Sequence, residues 1–157
     1  MLIRHALAQD IPGIVAVHVA AWDAAKDGLD LPSRRSPEDR ARHWSTVIAE
    51  GAGEVWVAED GGGVCGFVAF GPSRDDDRAG ETEVYTLYVA PERWGRGVGS
   101  ALMDQVPAQR IVSLWVAEGN DRARRFYADR GFVPDGARDA GHHVPVMRLA
   151  RGCASCT

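Results

Sequence analysis

Leu87-Tyr88-Val89-Ala90-Pro91-Glu92-Arg93-Trp94-Gly95-Arg96-Gly97-Val98-Gly99-Ser100-Ala101-Leu102 runs from an apolar strand through a glycine-rich turn into a helix. Pro91 closes the strand, because it has no N–H for a sheet ladder. Val98, Leu102 and Val106 then recur at helical spacing, and Pro107 stops them. Backbone N–H groups at a helix start have no intrahelical partner, and the helix dipole favours an anion there. Gly95, Gly97 and Gly99 remove the side chains that would block a phosphate. No Gly-Lys-Ser/Thr follows, so the turn is not the phosphate loop of ATPases. A meander precedes it, so it is not the dinucleotide fingerprint either. A diphosphate-containing ligand is the natural reading, and a tight strand–helix turn with nothing bound is the plain alternative.

Outward from this turn the period of the apolar residues marks each element. Upstream, Leu2 to Ala6 is a short strand. Asp10 is expected to cap a helix with Ile11, Ile14, Val15, Val19 and Trp22 on its apolar face. Lys26 to Arg35 reads as a loop. Ser36-Pro37-Glu38-Asp39 supplies an N-cap, a proline at the first helical position and acid in the first turn. Ala41, Trp44, Val47 and Ile48 line that second helix, and Gly51 stops it. Glu54–Glu59 and Val64–Phe70 form a hairpin about Asp60-Gly61-Gly62-Gly63. Ser73 to Gly80 is a charged loop, and Glu83–Val89 is the third strand of the meander. Downstream, Ile111–Val116 is a strand, Asn120 caps a short helix ending at Gly131, and His143–Leu149 is the last strand.

The order β-α-α-β-β-β-α-β-α-β-β predicts an α/β (α+β) fold. It is a mixed, mostly antiparallel central sheet of about six to seven strands with about four helices on both faces. Residues 1–150 are expected to form a single domain, and residues 151–157 a C-terminal tail. With 157 residues and 45% hydrophobic content, one core is filled without disulfides or a structural metal. A net charge of −4 argues mildly against nucleic acid as a partner. No apolar run is long enough for a membrane span, and no signal peptide is expected, so the cytoplasm is the default. All basic residues but Lys26 are arginine, which reads as composition bias.

The second block that matters is Asn120-Asp121-Arg122-Ala123-Arg124-Arg125-Phe126-Tyr127-Ala128-Asp129-Arg130-Gly131-Phe132. Together with Trp94-Gly95-Arg96-Gly97-Val98-Gly99 it resembles the GNAT superfamily of acyl-CoA-dependent N-acyltransferases. That family has Gln/Arg-x-x-Gly-x-Gly/Ala in the first block and Asn-x-x-Ala-x-x-Phe-Tyr-x-x-x-Gly-Phe in the second. The residue motifs run from Glu83 to Phe132, and the element order agrees over nearly the whole chain. One position departs: Trp94 stands where the family usually has Gln or Arg, and Arg93 or Arg96 is the candidate for the missing charge.

The resemblance implies an acetyl-CoA site. The pyrophosphate is expected on the loop Trp94, Gly95, Arg96, Gly97, Val98, Gly99 and Ser100. The pantetheine arm is expected beside main-chain groups of Leu87 and Val89, with the Val89 N–H polarising the thioester carbonyl. Asn120 and Ala123 are expected at the cofactor, Asn120 also as an N-cap. Tyr127 is the expected general acid that returns a proton to the departing thiolate; aromatic packing is its plain alternative and the expected role of Phe126. Glu83 is the expected base for the amine, with Glu81 its neighbouring rival and water an intermediary.

Other residues carry less. Cys65 is expected in the core. Cys153 and Cys156 form a CxxC that could hold a metal or cycle a disulfide; an inert tail is the reading. His142 and His143 point to opposite faces if extended, which disfavours a metal pair. His18 and His43 are read as satisfied or surface histidines. Trp22 and Trp44 are read as core, or as the border of an acceptor pocket. Asp75-Asp76-Asp77 is read as a solvated loop. The resemblance implies direct acetyl transfer to a primary amine on a small molecule or peptide, without a metal, nucleic acid or membrane. It leaves a homodimer open, and a non-catalytic acyl-CoA sensor as the alternative function.

Overall fold

The computed structural model describes residues 1–26, 36–51, 53–140 and 144–152. Of the predicted Lys26–Arg35 loop, Lys26 is instead the last residue of the first helix and residues 27–35 lie outside the described residues, as do the His142-His143 pair and the Cys153/Cys156 tail. Seven strands and four α-helices follow one another in the predicted order. They are β1 (Leu2–His5), α1 (Ile11–Lys26), α2 (Pro37–Glu50), β2 (Glu54–Asp60), β3 (Gly63–Pro72), β4 (Thr82–Val89), α3 (Val98–Met103), β5 (Val112–Ala117), α4 (Asp121–Asp129), β6 (Val133–Asp139) and β7 (Val146–Arg151). The strands form one mixed, mostly antiparallel sheet in the order β1-β2-β3-β4-β5-β7-β6. Among the described residues, no helix is long and apolar enough to cross a membrane.

The chain packs as two compact units, and β4 passes from the second to the first between Tyr85 and Thr86. The first unit holds Met1–Gly71 and Thr86–Val106. Here β1 and β2 pair antiparallel with Leu2 opposite Glu59. The β2–β3 pair runs from Glu54 opposite Phe70 to Asp60 opposite Gly63, with a bulge at Ala58/Glu59. Its core is Ile14, Val17, Trp44, Val57, Phe67, Val68, Leu102 and Met103. Gly66 lets α3 approach β3: a Cβ there would stand 3.1 Å from both Leu102 Cδ1 and Val98 Cγ1.

The second unit holds Pro72–Tyr85 and Pro107–Thr157. Its parallel pair is β4–β5, with Thr82 opposite Val112 and Glu83 opposite Ser113. β5 and β6 both pair antiparallel with β7. Val84, Val112, Leu114, Phe132 and Leu149 fill its core.

The predicted caps of α2 are present. Ser36 Oγ accepts from the Asp39 N–H at 3.1 Å, and Gly51 ends the helix at φ 62°. Four local expectations are corrected. Asp10 does not cap α1: its buried carboxylate accepts from the Leu7 N–H and pairs with Arg4 at 2.8 Å. Helix α3 ends at Met103 rather than Val106, because Pro107 disfavours helical geometry at the preceding residue. Tighter turns, Gln105 N–H to Leu102 O and Val106 N–H to Met103 O, carry the chain onward. The buried face of α1 includes Val17 and Ala21, while Val19 and Trp22 are only half-buried. The last strand runs through Arg151 rather than stopping at Leu149, because Arg151 pairs with Val112.

Candidate active site

In the first unit the decisive turn leaves the end of β4. The Ala90 N–H donates to Cys65 O at 2.8 Å, and Pro91–Arg93 form one tight turn. Gly95 and Gly97 lie at φ 75° and 84°, left-handed backbone that a Cβ would strain. An added Cβ would meet nothing within 4 Å at either. The main-chain bonds that bracket the turn are Trp94 N–H to Pro91 O at 3.2 Å and Ala101 N–H to Gly97 O at 3.0 Å. Val98 is buried, which anchors the turn, while Gly95, Arg96 and Gly97 are exposed. The turn is therefore open at Gly95 and Gly97 and leads into a helix start, the setting a diphosphate requires.

The first signature position is occupied differently from the expectation. Trp94 Nε1–H donates to the carbonyl of Val89 at 2.9 Å, so the indole ties the turn to the strand it leaves. Arg93 does not supply the missing charge, because its guanidinium pairs with Asp60 at 2.7 Å. The Gly62 N–H and Arg93 together hold the Asp60 carboxyl below the usual carboxylate range. Arg96 is exposed and has no ion-pair partner among the described residues. Leu87 and Val89 sit half-buried on β4.

The same unit gathers aromatic rings from α1, α2, β3 and β4. His18 stacks on Tyr88 at 4.6 Å, and Trp44 meets Phe67 edge-on at 5.1 Å. Burial pushes the Tyr88 phenol up, with Arg40 working against it. Trp44 is fully buried and belongs to the core; Trp22 is half-buried and His43 exposed. Cys65 is buried as expected, and burial pushes its thiol up.

In the second unit Glu83 is 1% exposed. Its Oε1 accepts from the Arg74 backbone N–H at 2.9 Å, and its Oε2 from Arg74 Nη2 at 2.7 Å. The rival Glu81 lies just before β4 and pairs with Arg78 at 2.7 Å. On α4, Asn120 caps the helix as predicted, its Oδ1 accepting from the Ala123 N–H at 3.2 Å. Tyr127 is buried, 5.7 Å from the Phe132 ring, while Phe126 is only half-buried. The expected division of labour in that pair is thus reversed for packing: Tyr127 is the inner ring.

The aspartate run is not simply solvated. Arg148, 5% exposed, holds three carboxylates, from Asp75, Asp77 and Asp135. Arg78 also binds Asp135, and Trp115 Nε1–H donates to Asp75 at 2.9 Å. Arg148 holds Asp77 below the usual carboxylate range. Burial opposes ionisation of Asp135, but the Ala137 N–H, Arg148 and Arg78 outweigh it. This network was missed in the sequence because its partners lie 71 and 73 residues apart. Among the described residues no group of three His, Cys, Asp or Glu is arranged to hold a metal ion.

Residues 51–134 match the family model described as an acetyltransferase (GNAT) domain. An uncharacterized N-acetyltransferase of Bacillus subtilis, YuaI, is 33% identical over 94% of this chain and 87% of its own length. An uncharacterized N-acetyltransferase of Archaeoglobus fulgidus is 30% identical over 83% of this chain and 91% of its own. Among solved structures, the PaiA N-acetyltransferase of Thermoplasma acidophilum, in complex with coenzyme A, superposes with a TM-score of 0.73. It is 16% identical and covers 96% of this chain and 98% of its own, a likeness of fold.

Proposed function

The chain belongs to the GNAT acetyltransferase family, and from that premise we propose that it is an enzyme moving an acetyl group from acetyl-CoA to a primary amine by direct transfer. The acceptor is a small molecule or a peptide, and the compartment is the cytoplasm. One observation carries this reading: the turn enters the start of α3 through Gly95 and Gly97, both at positive φ with open space where a side chain would stand. The coenzyme A complex of the Thermoplasma neighbour supports the choice of ligand.

Acetyl-CoA supplies an activated thioester when bound. The N–H groups of Gly95, Arg96, Gly97, Val98, Gly99 and Ser100 hold its diphosphate, and the exposed Arg96 guanidinium adds positive charge. Trp94 serves this loop through its bond to Val89 O rather than as a charged donor. Main-chain groups of Leu87 and Val89 align the pantetheine arm, and the Val89 N–H polarises the reacting carbonyl. Asn120 contributes its side-chain NH2, since its oxygen is engaged by Ala123, and Ala123 keeps that helix turn narrow. Glu83 takes the proton the ammonium must lose before attack, directly or through water. As the new C–N bond forms and the C–S bond breaks, the Tyr127 hydroxyl gives its proton to the departing thiolate, and the second proton the acylated nitrogen sheds returns to the phenolate through water.

Calorimetric titration with acetyl-CoA, CoA and ATP, followed by thiol release over a panel of amines, tests the reading. Saturable acetyl-CoA binding that ATP does not match, with amine-dependent thiol release, is expected. Tyr127→Phe then lowers kcat by about 100-fold, the scale of one general acid, with acetyl-CoA affinity retained. Binding without turnover on any amine would convert the reading to an acyl-CoA sensor, and no acetyl-CoA binding would overturn both.

A further inference from the structure

The carboxylate of Glu83 is buried, yet what covers it is not. Arg74 supplies every hydrogen bond the Glu83 carboxylate receives among the described residues, and its side chain is 66% exposed. Its guanidinium lies 4.5 Å above the Tyr85 ring, whose hydroxyl donates to Pro72 O. The other groups facing this point are Asp75, which acts on Arg74, and the Ser113 hydroxyl, in register with Glu83 on β5. A buried carboxylate thus has one solvent-exposed cation as its counterion.

We propose that Arg74 is a positioning residue occupying, in the free enzyme, the cation seat on Glu83 that the acceptor's ammonium takes over in the reaction. The proposal rests on the acetyltransferase reading and deepens it. An uncompensated buried carboxylate is costly, so the seat is exchanged rather than vacated. The Arg74 side chain is 66% exposed, so a substrate ammonium can reach and displace it. The Arg74 backbone N–H stays on Oε1 while the guanidinium swings out. Arg74 is then an internal competitor of the amine, and the acceptor is selected as a cation small enough to replace one guanidinium.

The test compares the wild type with Arg74→Gln, Arg74→Met and Arg74→Lys, at a pH of about 8.5, well above the ordinary carboxylate range. At saturating acetyl-CoA, the Gln and Met variants lower the KM for the amine by up to about fivefold, a larger change than any in kcat. Arg74→Lys keeps a cation in place and keeps the wild-type KM. Millimolar methylguanidinium refills the seat: it raises the Tm of Arg74→Gln and competes with the amine, leaves the wild type unmoved, and loses both effects in Arg74→Gln/Glu83→Gln. An unchanged or raised KM without methylguanidinium stabilisation overturns the proposal. If the wild type turns over no amine, the acetyltransferase reading fails, and the methylguanidinium melting curves still decide the cation seat.

Discussion

The indole N–H of Trp94 donates to the carbonyl of Val89 at 2.9 Å, closing the loop from Val89 to Trp94 between the end of β4 and the glycine turn. The family position that usually carries a charged or amide side chain for the diphosphate is here a fastener within the protein. A neutral hydrogen bond contributes about 1 kcal/mol net, which corresponds to about fivefold in affinity if it only preorganises the loop. Trp94→Phe keeps the ring and removes the donor. It is expected to weaken acetyl-CoA binding by about that factor in calorimetric titration, with kcat at saturation unchanged. An effect of a hundredfold or more would mean that the indole touches the ligand itself.

Gly66 separates stability from binding. A Cβ at this position meets Leu102 Cδ1 and Val98 Cγ1 at 3.1 Å and Tyr88 O at 3.2 Å. The side chains can yield by tenths of an ångström, but the Tyr88 carbonyl is held in the strand. Overpacking of this kind typically costs about 1–3 kcal/mol. Gly66→Ala is expected to lower the urea midpoint by that amount with the denaturant slope unchanged. Because α3 carries the residues that follow the glycine turn, acetyl-CoA affinity should fall with it.

Neither the Trp94–Val89 bond nor the close approach at Gly66 was legible, because both are made by packing, whereas the strand–turn–helix that carries them was, because it is local. Strand, turn and helix from Glu83 to Leu102 each declare themselves within a few residues, and so do the Ser36 and Asn120 caps. Of the candidate site, the loop, Asn120 and Tyr127 stand in contiguous blocks that the sequence names, and their roles at the cofactor are the proposal. What escaped is long-range. Asp10 precedes an apolar helical run and so resembles a cap, but its partner Arg4 sits on β1, where it also reaches Glu59 of β2. Nothing within a window of sequence distinguishes a carboxylate facing forward to a helix from one facing back to a strand. Arg74 is nine residues from Glu83 across a charged loop, and no periodicity links them. In a chain whose basic residues are nearly all arginine, neither Arg74 nor Arg148 stands out.

The Arg4–Asp10 pair gives the first unit a defined response to acid. The Arg4 side chain, with the Leu7 N–H, holds the Asp10 carboxyl below the usual carboxylate range, against the opposing effect of burial. A carboxylate depressed in the folded state stabilises fully above its unfolded value, about 3.9, and loses that contribution as pH falls through the lower folded value. Asp10→Asn is therefore expected to be less stable than the wild type at neutral pH, and the gap should narrow as pH falls below about 4. Urea unfolding of both proteins at neutral pH and in acid checks the sign. A gap that widens in acid would show that Asp10 does not carry this dependence.

Arg148 offers the sharpest contrast between a surface charge and a structural one. It reaches across from β7 to Asp75 and Asp77 in the charged loop and to Asp135 on β6, and its own side chain is almost wholly buried. Asp135 keeps Arg78 when Arg148 is lost, but Asp75 keeps only the Trp115 N–H and Asp77 loses its ion pair. Removing one member of a buried charged network leaves charges uncompensated, typically at about 3–5 kcal/mol, with the exposed Asp77 adding little. Arg148→Met fills similar volume without the charge and is expected to lower stability toward the lower end of that range. The double variant Arg148→Met/Asp75→Asn, which removes a stranded charge beside the new methionine, should recover part of the loss. Because the loop from Ser73 to Gly80 also carries Arg74, the single variant should loosen the Arg74–Glu83 contact, and hydrogen exchange of the Arg74 amide reports this directly. Unchanged exchange at Arg74 together with a loss of stability would show that the arginine network braces β6 and β7 and leaves the Glu83 seat independent of it.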